Sequence, residues 1–413
     1  MDKLTDIIKA LPPMKAGNEL LSALTVLPEY NKTICDENEA IRLMALSDLY
    51  KIYLPSQMSV EIYSKLYLAL LRSLQKKTAK TATQQKNENH KAICKQDYNG
   101  ILGGADSFTI IGSSGIGKSS AINRAIDLIT ATGIIETTEP YNRIIPCIVV
   151  QCPFDSSVKG LLLEILRKVD ECLNSQYYEN ALRVRATTDM LIGNVSQVAL
   201  NHIGLLVVDE IQNVCNSRHG KSLVGMLTQL INNSGISICM VGTPESSIFF
   251  ESAMQLARRS LGLQYHSLEC DRYFYDFCCT LFSYQYTKHK AEITDAIVNW
   301  LYEHSGGIVS VVVSLIHDAQ EIAILNGKEV LNIETLNEAY KKRLAMLHSY
   351  IEPTIKHRKQ TATKKKAKPE PPQINGDITD DFSISELAAT AKANNSDIVN
   401  LLKAHIAIEE VRV

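Results

Sequence analysis

Phe108-Thr109-Ile110-Ile111-Gly112-Ser113-Ser114-Gly115-Ile116-Gly117-Lys118-Ser119-Ser120 is an apolar run that breaks into glycines and ends on Lys-Ser. Gly112 to Ser119 satisfy G-x-x-x-x-G-K-[ST] in full, and the run before them has the make-up of a buried strand. Chemistry explains the order. A strand stops, and a loop of Gly112, Ser113, Ser114, Gly115, Ile116 and Gly117 wraps its backbone N–H groups around a chain of phosphates. Lys118 then reaches the β- and γ-phosphates, and the Ser119 hydroxyl is placed to ligate Mg²⁺. Ser120 to Ile129 reads as the following helix, whose N-terminus favours anions. The spacing predicts an α/β nucleotide-binding domain of the P-loop type.

The chain has 413 residues, 45% of them hydrophobic, enough for two or three domains with a sizeable core. Its formal net charge of −2 means that any nucleic-acid binding must come from local patches. Met1 to Asp6 carry no basic-then-apolar leader, and no apolar run approaches the length of a membrane span. Ten cysteines are scattered without metal-ligand spacing, which fits buried thiols in a reducing cytoplasm.

Downstream, Ile144 to Val150 reads as a second strand that runs out at Gln151-Cys152-Pro153-Phe154-Asp155, and Ser156 to Leu163 opens a helix. Lys159 lies near the start of that helix, where a cation is electrostatically disfavoured. It is either a contact for an external anion or an ordinary surface lysine. Gly204-Leu205-Leu206-Val207-Val208-Asp209-Glu210 is an apolar run ending in two carboxylates, the form of a buried parallel strand with acids at its C-terminal edge. Asp209 is placed to hold Mg²⁺ with Ser119, and Glu210 to polarise a water aimed at the γ-phosphate. Ile236 to Gly242 gives another strand, after which Thr243 is either a γ-phosphate sensor or a turn residue before Pro244. Arg258 and Arg259 stand at a helix end, where either could complete a neighbouring subunit's site or simply face solvent.

The flanks are helical in pattern. Val60 to Leu71 has apolar residues at helical spacing after Pro55-Ser56, whereas Lys76 to Asn89 is polar and aperiodic and reads as a loop or linker. Helical patterns return at Ile293 to Leu301, Val309 to Leu325 and Ile333 to Leu347, with a Gly306-Gly307 turn and no arginine just after it. Lys356 to Pro372 is a basic, proline-ended linker, and the acidic tail beyond resumes apolar spacing from Leu387 to Leu402. The expected organisation is a helical N-terminal region over 1–100, a P-loop core over 101–272, a small helical lid over 273–350, and a linker with a partner-binding tail over 351–413.

These motifs together resemble the TnsC/TniB group of AAA+ transposition ATPases. The resemblance rests on the P-loop, on Cys152-Pro153-Phe154-Asp155 with Lys159-Gly160-Leu161, on Asp209-Glu210-Ile211-Gln212-Asn213, on Val241-Gly242-Thr243-Pro244-Glu245 and on Ser305-Gly306-Gly307-Ile308-Val309. It spans about residues 40 to 350. It implies an AAA+ parallel-sheet core that binds ATP and Mg²⁺, assembles as a ring or filament on duplex DNA without sequence preference, and hydrolyses ATP to reset. It also implies a target-selection protein and transposase subunits as partners, with Thr243 as sensor and Arg258 or Arg259 as a trans-acting finger. A replication ATPase of the helicase or clamp-loader type, and a signalling ATPase that never touches DNA, stay open as alternatives.

Overall fold

Buried runs of the expected kind form the centre of one six-stranded sheet. The strands are β1 (Phe108–Gly112), β2 (Ile135–Thr138), β3 (Tyr141–Gln151), β4 (Ile203–Asp209), β5 (Ser237–Gly242) and β6 (Leu263–Tyr265). The structure, a computed structural model, describes residues 3–78, 81–94, 107–138, 141–216, 220–247, 262–345, 348 and 351. The chain divides into a unit of Met1–Lys356, described below, and a unit of His357–Val413, which lies outside the described residues with the expected linker and tail.

The spatial order is β2-β3-β4-β5-β1-β6, and every neighbouring pair is parallel except the β2–β3 hairpin. The hairpin strand β2 and the short β6 have no counterpart in the apolar pattern. β1 and β5 are buried throughout and β4 as far as Asp209, which is why their sequences do not alternate. β5 lies between the P-loop strand and the acidic strand, its Cys239 facing Phe108 on one side and Val207 on the other. The C-terminal ends of β1, β4 and β5 therefore open on one edge of the sheet.

Among the described residues five helices precede the sheet: α1 (Lys3–Ala10), α2 (Gly17–Leu24), α3 (Glu39–Ala45), α4 (Gln57–Thr78) and α5 (Thr81–Ile93). Among the described residues five more are interleaved with its strands: α6 (Lys118–Ile129), α7 (Val158–Leu173), α8 (Tyr177–Arg183), α9 (Thr188–His202) and α10 (Gly220–Ser234). Leu161, Ile165, Leu191, Val195 and Leu227 of α7, α9 and α10 bury one face of the sheet. Leu20, Leu66, Leu70, Ile122 and Ala125 of α2, α4 and α6 bury the other, so the core is an α/β/α sandwich. α7 shows how locally this is encoded. Ser157 accepts a hydrogen bond from Gly160 N, six apolar residues line the inner stripe, and Asn174 ends the helix with φ 53°.

Four helices, Arg272–Ser283, Asp295–Ser305, Val309–Leu325 and Ile333–Lys342, make the lid. Its core takes in Leu46, Leu49 and Ile52 from the N-terminal region. The last lid helix stops at Lys342, short of the expected Leu347. With this sheet order and lid, the chain has the AAA+ form of the P-loop fold. Among the described residues no single helix is long and apolar enough to cross a membrane.

The reading of Lys76 to Asn89 as a loop is corrected. α4 continues to Thr78, and α5 occupies Thr81–Ile93. Polar contacts hold α5 in place: Gln85 and Asn89 are fully buried, Gln85 Nε2 donates to Asn89 Oδ1 (3.0 Å), and Asn89 Nδ2 donates to Asn233 O (3.0 Å). No apolar period announces a helix whose buried contacts are amides. Nearby, Lys77 Nζ donates to Ala199 O and to Leu200 O (3.2 Å) at the end of α9. Burial, and then the Lys86 charge, push its ammonium down to about 7 from an ordinary 10.5. Between those values the folded chain binds fewer protons than the unfolded chain, so Lys77 makes stability rise with pH across that window. Lys77→Met is expected to flatten the rise of melting temperature between pH 7 and 10; an unchanged slope would show that Lys77 does not titrate there.

Candidate active site

The phosphate cradle is built by the break from β1 into α6. Gly117 caps α6 with φ 97°, a left-handed value that aims the first turn's N–H groups into the loop. Gly115 has φ 79°, and its carbonyl accepts from Ser310 N (3.0 Å) at the start of the Val309–Leu325 lid helix. A Cβ there would lie 2.3 Å from Ser310 Oγ, so only glycine lets the lid close on the loop this way. The Gly306-Gly307 turn, with φ 60° and 72°, delivers that helix to the loop.

Lys118 Nζ donates to the carbonyls of Gly112 (2.6 Å) and Ser113 (2.8 Å), which hold the ammonium inside the loop. Burial pushes its pKa below the ordinary value, against the opposing charges of Asp209, Glu210 and Glu245. Ser119 Oγ donates to Asp209 Oδ2 (3.4 Å), so the two expected Mg²⁺ ligands are neighbours across the gap between α6 and β4. The other oxygen, Asp209 Oδ1, accepts from Glu210 N (2.8 Å). Glu210 is exposed to the cavity with φ 57°, and its carboxylate accepts from Gln212 Nε2. Gln212 Oε1 is buried without a hydrogen-bond partner. Thr243, at the end of β5, lines the same space. Its side-chain hydrogen bond, then Glu245's own backbone and the Lys118 charge, hold the Glu245 carboxyl below its ordinary value.

These groups share a cavity of ≈ 400 Å³, inside the range of roughly 300–1,000 Å³ usual for small-molecule sites. Ser114 to Ser120, Asp209, Glu210, Gln212 and Thr243 line its charged end. The rest of the lining is largely apolar and aromatic, with Ile52, Tyr53 and Met58 from the N-terminal region and Leu268, Tyr273 and Phe277 from the lid side. Tyr273 Oη donates to Leu54 O (2.8 Å), which ties the two halves of this lining together. Burial raises the Tyr53 and Tyr273 phenols, so both rings stay neutral. No arginine from the described lid residues lines the cavity; Ser310 and Ser314 face it instead.

A phosphate-type cradle sharing one cavity with aromatic and apolar side chains fits the chemistry of a nucleoside triphosphate. The cradle, the lysine and the Ser119–Asp209 pair suit ATP with Mg²⁺. Lys159 lies elsewhere, exposed on the first turn of α7 and outside the cavity lining. Arg258 and Arg259 lie outside the described residues. Sequence reasoning missed Gln212 as a partner of Glu210, Glu245 as a partner of Thr243, and the whole N-terminal wall from Tyr50 to Ser59. Gln212 stood in plain view two residues after Glu210. The wall carried no signal, because it lies more than fifty residues before the P-loop and reaches the site only through packing.

Among solved structures, the chain is similar to the Aeropyrum pernix ORC1 protein in complex with DNA at 13% identity and a TM-score of 0.41, covering 81% of this chain and 80% of that one. It is similar to Drosophila ORC bound to DNA at 12% identity and a TM-score of 0.45, covering 99% and 87%. It is also similar to the Thermotoga maritima RuvB Holliday junction branch migration motor at 12% identity and a TM-score of 0.36, covering 83% of each chain. No curated protein matches the sequence. Residues 104–266, the segment that carries the whole charged end of the cavity, match the family model described as the bacterial TniB protein.

Proposed function

We propose that the protein is an ATP-hydrolysing regulator of DNA transposition that assembles on duplex DNA in its ATP state, passes a target-selection signal to the transposase, and resets on hydrolysis. The observation that carries this reading is the convergence of Lys118, Ser119, Asp209, Glu210 and Thr243 on one cavity, inside the segment that matches the TniB family. Lys118 and the amides of the loop hold the triphosphate, and Ser119 and Asp209 hold Mg²⁺. When bound, Mg²⁺ neutralises phosphate charge that develops during transfer. Glu210 takes the proton of the attacking water, and Thr243 reads the γ-phosphate. The apolar wall takes the base.

A net charge of −2 leaves one subunit little attraction for DNA. Binding on this reading is collective, with many weak phosphate contacts, Lys159 among them, gathered in a ring or filament. The N-terminal region would meet the target-selection protein, and the tail the transposase. Arg258 or Arg259 would complete the neighbour's site.

The test is DNA affinity across a salt series, with and without a non-hydrolysable ATP analogue. Binding should require the analogue, fall steeply with salt and ignore sequence. Binding that is indifferent to nucleotide would overturn the reading. For the finger, a Lys118→Ala chain is mixed with an Arg258→Ala or Arg259→Ala chain. Lys118→Ala and the variant of whichever arginine is the finger should each be inactive alone, and their mixture should regain ATPase activity. Without rescue, neither arginine acts across an interface.

A further inference from the structure

Beyond the last paired residues of β3 and β4, the two strands remain joined. Cys152 N donates to Asp209 O (2.8 Å), and then side chains take over. Asn213 Nδ2 donates to Cys152 O (3.0 Å), and Ser156 Oγ donates to Asn213 O (3.0 Å). Asn213 N in turn donates to Glu210 O (3.1 Å). Asn213 thus sits between two loops: 152–157, which leads into α7, and 210–213, which begins with the expected base.

Both loops contain a non-glycine residue in the left-handed region, Ser156 at φ 52° and Glu210 at φ 57°. Ser156 is fully buried although it is polar, so its hydroxyl is committed to Asn213 O rather than to water. A loop held this way moves as one piece. On its outer side it carries Phe154, 90% exposed, the most exposed large hydrophobic among the described residues. Ser157 caps α7, and Lys159 stands exposed in its first turn. Asp155, next to Phe154, accepts from Ser157 N with a carboxylate oxygen (3.0 Å). An exposed ammonium next to an exposed apolar ring offers duplex DNA a phosphate contact flanked by contact area for the sugar–phosphate backbone.

We propose that Asn213 is a positioning residue that transmits engagement of the Phe154 loop to Glu210. The inference rests on the reading that this protein binds duplex DNA and hydrolyses ATP. DNA pressing on Phe154 and Lys159 shifts residues 152–156. Through Cys152 O and Ser156 Oγ that shift is passed to Asn213, and through Asn213 N to the backbone of Glu210. Glu210 is restrained by the Gln212 amide, so a small backbone movement is enough to break that bond and free the carboxylate for the water. The two loops then act as one element with two arrangements, which is what physical coupling between sites requires.

The experiment measures ATPase rates of the full chain at saturating ATP, with and without a saturating duplex of mixed sequence, and DNA affinity by anisotropy. The parent should be stimulated several-fold. Asn213→Ala should bring the ratio of the two rates to parity while KM for ATP and DNA affinity stay near the parent's. Ser156→Ala, which removes one of the two bonds, should give an intermediate ratio. Phe154→Ala alters only an exposed side chain and should fold in any case; its ratio should also fall toward parity at saturating DNA. If the parent binds and responds to DNA but Asn213→Ala or Phe154→Ala keeps the full ratio, the coupling is wrong and the DNA-bound ATPase reading stands. If the parent neither binds DNA nor responds to it, both fall together.

Discussion

Replacing Glu210 by Gln is expected to leave ATP binding in place while slowing hydrolysis by roughly 10²–10⁴-fold, the usual contribution of a positioned general base. The side chains are nearly isosteric. Asp209 still receives Ser119 Oγ and Glu210 N, so the Mg²⁺ ligands keep their arrangement. What disappears is a carboxylate able to accept a proton. The assembled ATP state should therefore persist, visible as long-lived complexes on duplex DNA with little phosphate released. Lys118→Ala is the contrasting case. Its ammonium is held in the loop by Gly112 O and Ser113 O, at the spot from which it reaches phosphate. Its loss should remove nucleotide binding and assembly together. Fluorescent-nucleotide binding combined with phosphate release separates the two variants. Parent-level hydrolysis by Glu210→Gln would mean that another group activates the water.

Arg42→Ala is expected to cost about 3–5 kcal/mol of folding free energy, the ordinary result of stripping one partner from a buried ion pair. Arg42 is 0% exposed, and its two terminal nitrogens donate to the two oxygens of Glu329 at 2.7 Å each. Nε donates to Glu37 O (3.1 Å) and Nη1 also to Tyr286 O (3.0 Å), so nearly every donor of the fork is used. The Arg42 hydrogen bond holds the Glu329 carboxyl below its ordinary value despite burial. Without Arg42 that carboxylate faces its desolvation unaided. Against a domain stability of roughly 5–15 kcal/mol the loss is large. Arg42→Lys should not rescue it, because an ammonium cannot reproduce the two-pronged contact. Glu329 stabilises above its unfolded-state pKa of about 4.5, and that contribution is lost as pH falls through its lower folded value. Urea titrations at pH 7 and pH 4 test both points: the gap between parent and Arg42→Ala should narrow at the lower pH. An equal gap at both would show that the pair's charge is not what Arg42 supplies. The pair also joins the N-terminal region to the lid, so the variant should bind ATP more weakly through its loosened cavity wall.

The parallel strands and the charged end of the cavity were legible in the sequence because each is a local pattern. A strand buried on both faces must be apolar along its length, so β1, β4 and β5 stand out as unbroken runs. The chemistry then has to sit where those runs stop, and Gly112 to Ser120, Asp209, Glu210 and Thr243 are contiguous with their strand ends. The lid turn was equally local, since Gly306 and Gly307 mark a place where φ is positive. α5 was not legible, because its buried face is made of Gln85 and Asn89 and becomes favourable only when Asn233 supplies a partner. Nor was the cavity's apolar wall, where Tyr53 and Met58 meet Tyr273 and Phe277 from more than two hundred residues away. The same holds for the Arg42–Glu329 pair and for the bridge from Asn213 to Cys152 and Ser156. A single side chain carries no trace of a partner that distant; only the packing of three cores against one another decides which polar groups meet. By itself the sequence determined the buried parallel strands, the glycine loop and the acids at the strand ends, since backbone geometry and burial dictate those residue by residue. Tertiary structure alone decided what closes over them and what they are tied to, because those contacts exist only once the chain has paid the entropy of bringing remote segments together.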